Sequence, residues 1–168
     1  INKVSVSKSI INGCSGDMFA YKESTVAQIP VTEITNSTLI KPQGRIFYAG
    51  NAASFSIDYC TMYGWGGSKA MLELGDKNTL GMSLAIKNTI LANGGSNRKA
   101  HNANAAANLS LTIEKVYGTN DMTFHSTLGD VTKYDKPSTE VFENPEEGNF
   151  KIIDALFPSS IGDPRWTE

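Results

Sequence analysis

Aliphatic residues recur at one offset in five segments of the chain. The recurring positions are Val6, Ile34, Ile57, Ile86 and Ile113, which lie 23 to 29 residues apart. Polar or small residues flank most of them, so each segment alternates with the period of two that is typical of a half-buried strand. A repeat of this length indicates a solenoid, in which each coil stacks on the next.

A second apolar stretch follows about a dozen residues after most of these positions, as at residues 16–21, 44–49 and 68–74. Gly, Asn and Pro separate the stretches, as turns between strands require. The sequence therefore predicts an all-β fold, a short right-handed parallel β-helix of about five coils; the hand follows from the rule for parallel crossovers. A β-sandwich also has many short strands, but it predicts no recurrence at a fixed offset.

Small residues stand three positions after four of the aliphatic residues, at Ser9, Ser37, Cys60 and Thr89. We expect them to form a column at a turn of the helix. Because Cys14 has a different offset from Cys60, the sequence predicts two free thiols rather than a disulfide. Residues 98–108 are rich in Ala and Asn and predict a loop or a short helical turn. His101 within it, and His125 beyond it, are expected to be solvated.

The aliphatic repeat stops near Leu128. Residues 1–127 are therefore predicted to form the coils, and residues 128–168 a cap of the same domain that covers the last coil, since an open solenoid end exposes unpaired strand edges. The chain also begins without Met, so we expect a longer parent protein with other domains.

The C-terminal segment carries two motifs that point to a family. They are Val-Phe-Glu-Asn-Pro-Glu-Glu-Gly-Asn-Phe-Lys-Ile at residues 141–152 and Gly-Asp-Pro-Arg-Trp at residues 162–166. Both resemble the endings of uncharacterised surface or secreted proteins of Gram-negative bacteria, in the pectin-lyase-like β-helix superfamily. The resemblance implies an extracytoplasmic location and an association with glycan use.

Composition excludes several classes of function. The net charge is −2 and charged residues make up 19% of the chain, so no basic surface for nucleic acid is expected. No apolar run reaches the roughly 18 residues of a membrane span, so no membrane insertion is expected. The leading prediction is a non-catalytic module that binds a polysaccharide or oligosaccharide.

Four residues are candidates for that binding. Tyr63 and Trp65 stand in a turn rich in glycine, where exposed rings would suit the faces of sugars; the alternative is that Trp65 packs on a neighbouring coil. Arg45 and Lys69 precede strands of neighbouring coils and would bind an acidic sugar. A charge ladder closed by Asp17 is the alternative for that pair.

Two further functions remain open. A polysaccharide lyase or glycoside hydrolase would use outward-facing charged residues, for which Asp58, Lys87 and Glu33 are the candidates on successive coils. Calcium is expected only for a lyase, and no metal site is predicted because no Asp-Asp or Asp-x-Asp pair occurs. The third possibility is a structural spacer or protein-interaction module.

Overall fold

The chain forms a β-solenoid of about four turns with little helix. The computed structural model describes residues 3–21, 31–49, 54–74, 81–106 and 109–167. The strands are β1 (Lys3–Ser7), β2 (Ile10–Asn12), β3 (Phe19–Tyr21), β4 (Val31–Ile40), β5 (Phe47–Ala49), β6 (Ser54–Tyr63), β7 (Leu72–Leu74), β8 (Met82–Lys87), β9 (Ile90–Ala92), β10 (Leu109–Glu114), β11 (Tyr117–Gly118), β12 (Thr132–Lys133), β13 (Phe142–Asn144) and β14 (Asn149–Ile152). The helices are α1 (Ala103–Ala106) and α2 (Ser138–Val141), with single 3-10 turns at Ser126–Leu128, Pro145–Glu147 and Pro164–Trp166.

Strand register confirms the repeat. On face 1, which consists of β1, the first halves of β4 and β6, β8 and β10, the strands pair in parallel. The aliphatic positions lie opposite one another in the order Val6, Ile34, Ile57, Ile86 and Ile113. Face 2 consists of β2, the second halves of β4 and β6, β9 and β11, and face 3 of β3, β5 and β7. One aliphatic residue per coil therefore builds one continuous row of the core.

The column of small residues marks the corner between face 1 and face 2. The residue before each of them has a positive φ: Lys8, Asn36, Tyr59 and Asn88, at 45–52°. The small side chains then bond to the carbonyl two residues earlier, as Ser37 Oγ does to Thr35 O at 2.7 Å and Thr89 Oγ1 to Lys87 O at 2.6 Å. A short donor fits this corner because it reaches the carbonyl just before the bend; in the case of Thr35, that oxygen also accepts from the backbone N–H of Lys8 at 3.2 Å.

The C-terminal segment closes the solenoid end and then runs back along its side. Leu128 and Val131 are buried, and β12 pairs with β11, so the start of the segment covers the last coil. Residues 134–167, which we call the strap, instead cover face 2 as far as the first coils. The prediction of a cap did not include this cover of face 2. The cover is needed because face 2 turns the apolar side chains of Tyr63 and Ile90 outward.

A buried cluster holds the strap in place. It joins Tyr63 and Ile90 of face 2 with Phe142, Phe150 and Phe157 of the strap, all at most 4% exposed. The ring of Phe150 lies 5.3 Å from that of Tyr63. The fold therefore has two apolar layers, one inside the solenoid and one beneath the strap.

Both cysteines are free thiols, as predicted. Cys60 is buried, and burial raises the pKa of its thiol to about 12, whereas Cys14 is only half-buried. At pH 8 we expect Cys14 to react with a maleimide in the folded protein. Cys60 should react only after unfolding, because it is buried and the thiolate is the reactive form. The measurement is labelling followed by mass spectrometry. In Cys14→Ser the fast reaction should disappear, and equal labelling of both thiols in the native protein would contradict the burial of Cys60.

Candidate functional site

Tyr63 and Trp65 do not offer exposed rings to a sugar, because both side chains are fully buried. The turn after β6 packs against the preceding coil: Gly64 lies against Lys41, and Gly67, at φ +69°, lies against the backbone carbonyl of Gln43. This close approach directs the Trp65 indole into the solenoid core. The prediction of exposed rings was therefore wrong, and the glycines serve contact between coils.

Tyr63 has a structural partner in the strap. Its hydroxyl donates to a Glu146 carboxylate oxygen at 2.5 Å and accepts from Asn93 Nδ2 at 2.7 Å. Burial, together with the neighbouring carboxylate of Glu146, raises the pKa of Tyr63 to about 12. The ring and its polar end are thus both engaged beneath the strap, which leaves no face for a ligand.

Arg45 and Lys69 do not form a basic pair. Arg45 bonds to Asp17 at 2.8 Å and to Glu73 at 2.5 Å, which makes the charge ladder closed by Asp17. Burial alone would lower the pKa of Arg45, but its two carboxylate partners outweigh that effect and the pKa is raised. Because Phe47 lies opposite Leu72, the residue opposite Arg45 is Ala70 rather than Lys69. An acidic sugar at Arg45 would have to displace two carboxylates.

The three catalytic candidates do not share one row. Asp58 and Lys87 are neighbours on face 1, but Lys87 pairs with Glu114 at 2.9 Å, and Asp58 accepts from Asn88 Nδ2 at 2.9 Å. Glu33 lies opposite Ser56, two positions along the strand from Asp58, so Glu33 is not aligned with the other two candidates.

Charged residues of face 1 form ion pairs between coils, as Lys87 does with Glu114. Glu33 bonds to Lys3 at 2.6 Å, so these side chains form solvated ion pairs along the sheet. Among the residues that the structure describes, no group of three His, Cys, Asp or Glu side chains is placed to hold a metal ion.

A groove beside face 3 is the strongest candidate site. It encloses about 400 Å³ and is lined by residues of three successive coils and of α1: Ser68, Ala70, Glu73, Lys99, His101, Asn102, Ala103, Ala106, His125 and Thr127. Stacking brings these residues together, because Leu72 pairs with His101, and Arg98 with Phe124. The strap covers face 2, so it does not lie over this groove.

The groove has one carboxylate that is already bonded, that of Glu73, and one ammonium group outside the ion pairs of the described residues, that of Lys99. Glu73 accepts from Arg45 and from the backbone N–H of Ala70 at 3.2 Å. Lys99 is exposed and forms no ion pair with any residue in the described part of the chain. The groove therefore offers an ammonium group to a ligand while its carboxylate stays held.

Two histidines line the same groove and are half-buried. The Nδ1 atom of His101 lies 2.9 Å from the carbonyl oxygen of Asn102. His125 precedes the 3-10 turn at Ser126–Leu128, and its Nδ1 accepts from the N–H of Thr127 at 3.2 Å. The expectation that both rings are merely solvated missed this arrangement. The only signal was that the solenoid repeat places residues 98–102 and 123–127 on adjacent coils.

Comparison with known proteins gives one match. A family model, described as a domain of unknown function (DUF5123), matches residues 55–166, from the middle coils to the end of the strap. No curated protein and no solved structure matches the chain. No helix in the described residues is long and apolar enough to cross a membrane. Since the family model spans more than half of the sequence, the chain belongs to the DUF5123 family.

Proposed function

We propose that this chain is a non-catalytic glycan-binding module, and that the groove beside face 3 is its binding surface. The observation that carries the proposal is the lining of the groove, in which hydroxyl, imidazole and ammonium groups from successive coils meet in one concavity. Concave sites with a few convergent polar groups are the usual places of ligand binding. A sugar chain lying across the coils would meet such groups repeatedly, because stacked strands are about 4.8 Å apart.

The proposal includes an extracytoplasmic location, on the surface of a Gram-negative bacterium or secreted from it. The Gly-Asp-Pro-Arg-Trp ending at residues 162–166 supports this location by its resemblance to surface and secreted proteins. In such a setting, a polysaccharide or oligosaccharide is the expected partner.

Lys99→Ala should weaken glycan binding about tenfold, because the ammonium group is the charged donor of the groove. The measurement uses affinity gels with a panel of acidic and neutral polysaccharides, run with and without Ca²⁺. Weaker binding appears as reduced retardation of the variant in the gel. Lys151→Ala is the matched control, since Lys151 is an exposed lysine of the strap. Its retardation should equal that of the wild type.

The same panel separates the competing functions. Retardation that is reduced in Lys99→Ala and unchanged in Lys151→Ala supports the proposal. New unsaturated or reducing ends would replace it with a lyase or hydrolase. If no polysaccharide retards the protein, the binding proposal fails and a structural spacer or protein-interaction module is favoured.

A further inference from the structure

The two histidines of the groove are fixed by backbone groups of opposite character. His101 faces a backbone carbonyl, which can only accept a hydrogen bond, and His125 faces a backbone N–H, which can only donate one. From these contacts we infer that His101 presents an acceptor to the groove and His125 a donor, and that together they select a ligand rich in hydroxyl groups. This inference rests on the proposed function and assigns roles within its site.

His101 must carry its proton on Nδ1. The partner of Nδ1 is the Asn102 carbonyl oxygen at 2.9 Å, so the ring nitrogen is the donor. A neutral imidazole has one N–H and one lone pair. Nε2 of His101 is therefore the unprotonated nitrogen and accepts a hydrogen bond from a ligand.

His125 has the opposite tautomer. Its Nδ1 accepts from the Thr127 N–H at 3.2 Å, which caps the 3-10 turn. In the neutral ring the proton is then on Nε2. His125 therefore offers an N–H donor, and the backbone contact that fixes its tautomer also anchors the ring.

A donor and an acceptor in one groove match the chemistry of sugars. A hydroxyl group both donates and accepts, so the hydroxyls of a sugar chain can satisfy both rings. A carboxylate or phosphate only accepts, so it cannot use the lone pair of the neutral His101 ring. Lys99, which lines the same groove, adds a second donor that a hydroxyl oxygen also satisfies.

Nuclear magnetic resonance of the ring nitrogens tests the tautomers without a ligand. The chain has two histidines, so two ring systems appear in a long-range ¹H–¹⁵N spectrum, and His101→Asn assigns them. At about pH 8.5, where an ordinary imidazole is neutral, we expect the His101 ring protonated on Nδ1 and the His125 ring on Nε2. Two rings of the same tautomer would overturn the inference.

Two asparagine variants test the binding roles while keeping the backbone contacts. In His101→Asn the amide N–H₂ can still donate to the Asn102 carbonyl. In His125→Asn the amide oxygen can still cap the 3-10 turn, since Asn is a preferred capping residue. Each removes Nε2 with the outer part of the ring and keeps a polar atom in the place of Nδ1, so each should weaken glycan retardation about 3- to 10-fold without lowering Tm. His125→Ala should lower both affinity and Tm, because it also removes the cap.

The outcomes separate this inference from the proposed function. If the wild type is retarded and both asparagine variants bind with wild-type affinity, the histidine roles are wrong while glycan binding stands. If no polysaccharide retards the wild type, glycan binding itself fails, whatever the tautomers are. Loss of affinity in both variants at unchanged Tm supports the inference.

Discussion

Replacing Ile57 by Ala is expected to lower the free energy of unfolding by about 3 kcal/mol. Ile57 is fully buried and lies between Ile34 and Ile86 in the aliphatic row of face 1. Truncation leaves a cavity between two coils that the row cannot close, because strand pairing fixes the spacing of the coils at about 4.8 Å. Urea unfolding followed by circular dichroism measures the loss.

Two matched variants show whether burial in the row is the cause. Ile57→Val should cost about 1 kcal/mol, since it removes one methylene. Ile153→Ala removes the same atoms from a side chain that is 53% exposed and should change stability by less than about 0.5 kcal/mol. Equal effects at Ile57 and Ile153 would contradict the stacked row.

Asp163→Ala should destabilise the protein by about 2 to 3 kcal/mol and release the end of the strap. Asp163 is 2% exposed, and its carboxylate accepts from Thr38 Oγ1 at 2.7 Å and from the Arg165 N–H at 3.1 Å. Thr38 Oγ1 also accepts from Trp166 Nε1 at 2.7 Å. Without the carboxylate, a buried hydroxyl loses its acceptor and the indole loses a fixed partner.

Amide hydrogen exchange and unfolding together measure this effect. Protection should fall in residues 161–167 more than in the face 1 strands, because the bonds to Thr38 and to Thr61 hold the strap end. Asp130→Ala is the control, since Asp130 is an exposed aspartate near the solenoid end. Unchanged stability in Asp163→Ala would show that the apolar cluster alone holds the strap.

The Gly-Asp-Pro-Arg-Trp ending thus has a structural account. Gly162 has a φ of +92°, and a Cβ there would lie 2.7 Å from Ile90 Cδ1. Asp163 caps the last 3-10 turn, and Arg165 bonds to the carbonyl of Lys8 at 3.0 Å. The contacts of Gly162 with Ile90, of Asp163 with Thr38 and of Arg165 with Lys8 tie the C-terminus to the coils. The bonds to Thr38 and Lys8 reach coils that precede residues 55–166, where the family model matches.

The repeat could be predicted from the sequence because each coil must satisfy the same constraints. An aliphatic residue fills the interior, and three positions later a small side chain bonds to the carbonyl before the corner. Ile57 and Cys60 therefore repeat the roles of Ile34 and Ser37. These are local requirements that a pattern of residue types expresses directly. The fold class followed from them.

The candidate site could not be predicted in the same way. The glycines around Trp65 indicate a turn, but the direction of the indole depends on contacts with Gln43 of the preceding coil. The groove joins residues from Ser68 to Thr127 through the stacking of coils, and nothing in one segment indicates its partners in the others. The path of the strap likewise depends on which face of the solenoid carries apolar side chains on its outer surface.

Obstructing the groove shows whether glycan binds there. Ala103 is exposed at the start of α1 and lines the groove, so Ala103→Trp would fill it without disturbing the core. The control is Thr139→Trp, at an exposed position of α2. On the polysaccharide that retards the wild type most, Ala103→Trp should lose its retardation while Thr139→Trp keeps it, with both at wild-type Tm. Full retardation of Ala103→Trp would contradict the assignment of glycan binding to this groove.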